Sequence, residues 1–302
     1  MNDLKGEICM GPKKINPLDF PKAMPPQHQN KQPGIEKEMS PRPIFEDTNC
    51  VGSSKLVDKV AVITGGDSGI GRAVAVAYAK EGANLAIMYL DEHEDANETK
   101  TIVENYGAKC MLIPGDIGDE KFCNNAVDKI IEEFKEIHIL VNNAAEQHPK
   151  DSIEEITSEQ LIRTFKTNIF GAFYMTKAVL QHMKGGSCII NTTSVTAYEG
   201  HKTLIDYSCT KGALVTFTRS LHMNLVERNI RVNAVAPGPI WTPLIPASFS
   251  AEEVGKFGST APMKRPGQPV ELAGAYVYLA SDEASYVSGQ IIHVNGGIMV
   301  SS

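Results

Sequence analysis

Three things are scarce in this chain of 302 residues: positive charge in excess, long apolar runs and grouped cysteines. The net charge of −7 argues against a nucleic-acid binder or a polybasic membrane partner, and neither is expected. No apolar stretch approaches the 18 or more residues that a membrane-spanning helix requires. The start, Met1-Asn2-Asp3-Leu4-Lys5, has no apolar core of a signal peptide, and a cytoplasmic location is expected. The six cysteines (Cys9, Cys50, Cys110, Cys123, Cys188, Cys209) are scattered, with neither a C-x-x-C pair nor histidines at ligand spacing. Reduced thiols and no metal are the expectation. There is a single tryptophan, Trp241.

Proline is unevenly spread. Eight of the 17 prolines fall within residues 1–50, a segment too polar to form a core. Pro25-Pro26 and Pro41-Arg42-Pro43 favour extended backbone. The segment reads either as a disordered tail or as an extended arm anchored by Phe20, Ile44 and Phe45. The expectation carried forward is an arm that packs on protein. Residues 51–302 read as one domain, long enough for a sizeable core.

That domain alternates short apolar runs with helical patterns. Runs at 60–63, 85–89, 110–113, 137–141, 187–194, 230–235 and 290–294 read as strands, the first of them apolar on both faces. Helical patterns stand between them, one at 70–81 ending at Gly82 and a long one at 161–183. The alternation predicts an α/β fold, a doubly wound and mostly parallel sheet of about seven strands with helices on both faces. Residues 239–267 form a loop-rich insert.

Two stretches carry chemistry. In Thr64-Gly65-Gly66-Asp67-Ser68-Gly69-Ile70-Gly71 the glycines permit a tight turn and close approach of a pyrophosphate to a helix N-terminus. In Tyr207-Ser208-Cys209-Thr210-Lys211, tyrosine and lysine share one helix face, and the ammonium is expected to lower the phenol's pKa. Ser194, thirteen residues earlier, ends a strand where open α/β sheets place their ligands.

Together with Asn142-Asn143-Ala144 and Asn168, these residues resemble the short-chain dehydrogenase/reductase family, from about Leu56 to about Gly297. The resemblance implies a Rossmann fold and reversible hydride transfer between NAD or NADP and an alcohol, ketone, aldehyde or sugar. It implies a tetrad of Asn168, Ser194, Tyr207 and Lys211, with Tyr207 as general acid or base. Lys211 would also hold the nicotinamide ribose, Ser194 would polarise the substrate oxygen, and Asn168 would bend its helix and hold a relay water. It places the cofactor along Gly65, Asp67, Ser68, Gly69, Ile70 and Gly71, then Tyr89, Leu90 and Asp91 for the ribose. Asp116 and Ile117 would meet the adenine, with Asn143, Ala144, Ala145, Pro237, Gly238, Ile240 and Thr242 along the remainder. Ala145 stands where the family usually has glycine. Gln147, His148 and Trp241 would rim the substrate pocket, Trp241 as a lid. Relatives that reduce enoyl groups resemble Y-x-x-x-x-x-x-K spacing, which this chain lacks. A catalytically silent sensor or scaffold of the same fold is the alternative, though such proteins typically lose the tyrosine or lysine. Of the two cofactors NAD is favoured, because Asp91, Glu92 and Glu94 oppose a 2′-phosphate and Arg72 is the only nearby cation. A homotetramer is expected, with Gly274, Ala275 and Ala280 allowing close approach.

Overall fold

The computed structural model describes residues 15–300. Seven parallel strands form one sheet in the order β3-β2-β1-β4-β5-β6-β7. They are β1 (Val60–Thr64), β2 (Asn84–Tyr89), β3 (Cys110–Pro114), β4 (Ile139–Asn142), β5 (Cys188–Thr192), β6 (Arg231–Pro237) and β7 (Ile291–Val294). The order reverses between β1 and β4, so the loops leaving β1, β4 and β5 open at their C-terminal ends into one crevice. Strands β1, β4 and β5 are buried at every position, which is why each reads as a continuous apolar run rather than an alternating one.

The helices are α1 (Gly69–Lys80), α2 (His93–Asn105), α3 (Glu120–Phe134), α4 (Ser158–Phe165), α5 (Gly171–Leu180), α6 (Thr196–Glu199), α7 (Ile205–Leu225), α8 (Ala251–Lys256) and α9 (Val270–Ala280). One face of the sheet packs through Ile63, Leu85, Ile87, Val141 and Ile190 against Tyr78, Leu272, Tyr276 and Leu279. The other packs through Val62, Met88, Leu140 and Ile189 against Cys123, Ile130, Met175 and Val179. The long helix expected at 161–183 is divided. Residues Lys166–Phe170 form a π-helical segment between α4 and α5, with Asn168 buried at its middle. From this bulge the Asn168 side chain bonds across to Glu146 and Thr210.

Residues 15–50 lie along the domain. Phe20 is buried beneath the Arg265 guanidinium, and the Phe45 ring lies under that of Arg72. Ile44 N–H donates to Gln268 Oε1, and its carbonyl accepts from Val270 N–H at the start of α9. Met24 and Met39 pack against Trp241, Ile245 and Val254. Trp241, expected as a pocket lid, has no solvent exposure, and its Nε1 donates to Pro41 O at 2.9 Å. The indole sits under the arm because its large apolar area is buried there while its one donor finds a carbonyl. Among the described residues no helix is long and apolar enough to cross a membrane.

Candidate active site

The turn after β1 depends on two glycines in left-handed conformations, Gly65 (φ 61°) and Gly69 (φ 51°). A side chain at Gly71 is excluded as well, since a Cβ there would lie 1.8 Å from the Gly65 carbonyl oxygen. Asn143 fastens the turn: its N–H donates to Thr64 Oγ1 (2.9 Å) and its Nδ2 to Gly65 O (3.0 Å). Ala145 is not among the residues with positive φ, so the usual glycine is not required at that point.

A cleft of about 500 Å³ runs from this turn to Tyr207. Of the residues expected along a cofactor, Gly65, Asp67, Ser68, Gly69, Ile70, Tyr89, Leu90, Asp116, Ile117, Asn143, Ala144, Ala145, Pro237, Gly238, Ile240 and Thr242 line it. Gly71 and Asp91 do not; Gly71 packs behind the turn, and Asp91 is drawn out by an ion pair to Lys31. The cleft fits a dinucleotide by its glycine cradle and by a buried polar atom without a hydrogen bond. Glu92, 5 % exposed, lines the cleft, and among the described residues its Oε1 makes no hydrogen bond, standing 3.7 Å from Lys31 Nζ. Burial, with the neighbouring Asp91, pushes that carboxyl up to about 8.

At the other end, Ser194, Tyr207 and Lys211 share the cleft. The Ser194 hydroxyl lies near enough to the Tyr207 phenol to act on its ionisation, and its Oγ accepts from Thr196 N–H and Oγ1, both at 3.1 Å; Lys211 Nζ stands 5.4 Å from the centre of the tyrosine ring. Lys211 Nζ donates to Thr192 O at 2.9 Å, which ties α7 to the end of β5. Burial sets the ionisation here, opposite to the lowered phenol expected from the neighbouring ammonium. It raises Tyr207 to about 12, with the Ser194 hydroxyl acting against it, and lowers Lys211 to about 7. Lysine held near 7 carries less charge, and so stabilises a phenolate less than a fully charged ammonium would.

Asn168 does not reach the cleft. Its Oδ1 accepts from Glu146 N–H (2.9 Å), and its Nδ2 donates to Glu146 O (2.9 Å) and Thr210 Oγ1 (3.1 Å). It therefore pins the segment after β4 to the catalytic helix. Gln147 lines the cleft, whereas His148 turns its ring toward Glu146, Nε2 to Oε2 3.8 Å. Trp241 is also absent from the lining. Three groups near the site were missed from sequence. Glu146 is buried and anchored by Arg163 Nε (2.7 Å) and Thr167 (3.0 Å). Asp206 is buried next to Tyr207 and held by Thr164 (2.8 Å). Glu36 comes from the arm: its Oε2 accepts from Gly69 N–H and its Oε1 from Arg72, both at 2.6 Å. Asp206 was recoverable, as an acid in the first turn of a helix; Glu36 had no local signal.

This geometry has counterparts among known proteins. The family model described as Enoyl-(Acyl carrier protein) reductase matches residues 65–299. Two thirds of aligned positions, 66% over 279 residues, are identical to an uncharacterized oxidoreductase, YhxC, of Bacillus subtilis (strain 168), covering 92% of this chain and 97% of that one. The chain is 50% identical over 283 residues to NADPH-dependent aldehyde reductase 1, chloroplastic, of Arabidopsis thaliana, covering 91% and 98%. Among solved structures, 3-ketoacyl-(acyl-carrier-protein) reductase from Brucella melitensis complexed with NADH superposes with a TM-score of 0.74 at 30% identity, over 81% of this chain and 100% of that one. The chain belongs to the short-chain dehydrogenase/reductase family. It is an NAD(P)-dependent oxidoreductase of that family, acting between an alcohol and a carbonyl; nothing favours a silent scaffold.

Proposed function

We propose that Tyr207 is the general acid in carbonyl reduction and the general base in alcohol oxidation. The observation that carries this is that Tyr207, Ser194 and Lys211 open together onto the same cleft as the glycine turn. The nicotinamide supplies or accepts the hydride when bound. Tyr207 gives its hydroxyl proton to the substrate oxygen, and Ser194 donates a second hydrogen bond to that oxygen. Lys211 would hydrogen-bond the nicotinamide ribose, and Asn143 would line the cofactor. Asn168 serves as a positioning residue, since it meets Glu146 and Thr210 rather than the cleft. Y-x-x-x-K spacing supports alcohol–carbonyl chemistry over enoyl reduction.

The substrate end is lined by Glu199, His201, Thr203, Phe249 and Lys256, a mixture suited to a polar aldehyde, ketone or sugar. NAD is the preferred cofactor in this reading. Arg72 is fully buried and engaged by Glu36, Glu98 and Asp95, so it cannot turn to a 2′-phosphate. We read residues 1–50 as an arm, 51–302 as the catalytic domain and 239–267 as its substrate loop. A cytoplasmic homotetramer completes the proposal. In α9, a Cβ at Gly274 would meet nothing within 4 Å, an open face that suits a second subunit.

Turnover of a panel of alcohols, aldehydes and sugars, with both cofactors, tests the reading. Wild-type enzyme is expected to turn over at least one pair that Tyr207→Phe does not, while the variant still binds cofactor. Near-normal turnover by Tyr207→Phe would sink the mechanism.

A further inference from the structure

The arm does more than cover apolar surface. Between Lys31 and Glu36 it crosses the mouth of the cleft, touching both ends of it. The Gln32 side chain pairs with the backbone of Gln147, accepting from its N–H at 2.6 Å and donating to its carbonyl at 2.8 Å. Pro33 and Gly34 line the cleft, and a Cβ at Gly34 would lie 2.3 Å from Pro243 O. Glu36 is completely buried and fills the capping position of α1, where Ser68 makes no side-chain cap. Its backbone N–H and that of Lys37 both donate to Asp95 in α2. The strand of arm is thus fixed to the glycine turn at one end and to the segment after β4 at the other.

At the ribose end the charges are one-sided. Asp91, Glu92 and Glu94 follow β2, and Asp67 is buried in the glycine turn. The cations that meet the three acids after β2 within 4 Å, among the described residues, both come from the arm. Lys31 Nζ is 2.7 Å from Asp91 and 3.7 Å from Glu92, and Lys37 is 2.8 Å from Glu94. Glu92 Oε1, the atom that Lys31 faces at 3.7 Å, makes no hydrogen bond among the described residues and lies beside Tyr89 and Leu90 in the cleft wall. A carboxyl in this place is satisfied by a ribose hydroxyl, while the ionised Asp91 and Glu94 beside it repel a phosphate unless a cation stands by them.

We propose that residues 31–36 are a wall of the cofactor site, and that Lys31 sets the discrimination between a 2′-hydroxyl and a 2′-phosphate at the adenosine ribose. This rests on the reading that the Tyr89–Glu92 end holds the adenosine. Glu92 takes the hydroxyl of NAD; Lys31 tempers the acids enough for NADP to enter. The specificity-determining cation is then supplied from outside the Rossmann core, some sixty residues before the acids it faces.

The test is the ratio of kcat/KM for NADP(H) over NAD(H) in the full chain. Lys31→Ala is expected to lower it fivefold or more, through KM rather than kcat, and Lys31→Arg to restore it. Glu92→Gln is expected to raise it above about pH 8, where the Glu92 carboxyl is ionised. If NADP turnover in the parent is too slow to measure a fall, Lys31→Ala is made in the Glu92→Gln chain, and inhibition by 2′,5′-ADP is compared with that by 5′-AMP. A change of less than fivefold on removing Lys31 overturns the proposal, as does an equal loss with both cofactors. Failure of the underlying reading looks different: neither nucleotide would then compete with the dinucleotide in the unaltered chain.

Discussion

The two ends of the cleft are built in opposite ways. At the catalytic end, Tyr207 and Lys211 lie on one helix and Ser194 just past an adjoining strand, and the hydrogen bonds there are Lys211 Nζ to Thr192 O and Thr196 to Ser194 Oγ. At the adenosine end, the glycine turn is backed by a charge network drawn from arm, α1 and α2, buried at Glu36, Arg72 and Asp95 and partly exposed at Glu98 and Arg42. The first end is governed mainly by desolvation, since burial is the largest cause that moves Tyr207 and Lys211 away from their ordinary values. The second balances buried charges against one another across three separate elements. Chemistry therefore depends on a local helical spacing, and the shape of the cofactor turn depends on long-range ion pairing.

Substitutions should separate the two. The largest expected effect is on rate: Tyr207→Phe lowers kcat by a factor on the order of 10²–10⁴. Its melting temperature stays close to that of the parent, because only a hydroxyl is lost. Glu36→Ala should do the reverse. It leaves the Arg72 guanidinium short of its closest acid in a site without solvent, a loss of about 3–5 kcal/mol. Thermal unfolding should show a fall on the order of 10 °C, and a fall below about 3 °C would mean that Glu98 and Asp95 suffice for Arg72.

A smaller effect probes the cost at the catalytic end. Lys211→Met should raise the melting temperature while abolishing activity. Lys211 is held at about 7 against an ordinary 10.5, so the folded chain binds fewer protons than the unfolded one between those values. Stability consequently rises with pH across that window, and the penalty of burying the ammonium is fully present only below about pH 7. The stabilisation given by Lys211→Met should be greatest at pH 6–7 and should vanish as pH approaches 10.5. A gain independent of pH would show that packing, not charge, is responsible. Smallest is Trp241→Phe, which loses the bond to Pro41 O at a cost of about 1 kcal/mol. Hydrogen exchange should quicken around residues 39–43, leaving the protection of α7 unaltered.

The catalytic end was legible in the sequence because its signals are local. A four-residue spacing puts Tyr207 and Lys211 on one face, and an asparagine within a helical pattern marks the place where the helix bulges, at Asn168. The strands were legible because a sheet covered on both faces requires uninterrupted apolar runs. The adenosine end was not. Arg72 reads as a free cation at a helix start, yet its partners lie at positions 36, 95 and 98. Trp241 reads as a lid within a proline-rich loop, and only the arm's arrival turns it into core.

By itself, then, the sequence determined the order of strands and helices, the glycine turn and the tyrosine–lysine pair. Each of these follows from conformational preferences and periodicities that act over a few residues. Tertiary structure decided where the arm lies, which acids surround Arg72, and that burial rather than the neighbouring ammonium governs Tyr207. Those outcomes depend on desolvation and on charges distant along the chain, quantities that exist only once the chain has folded around them.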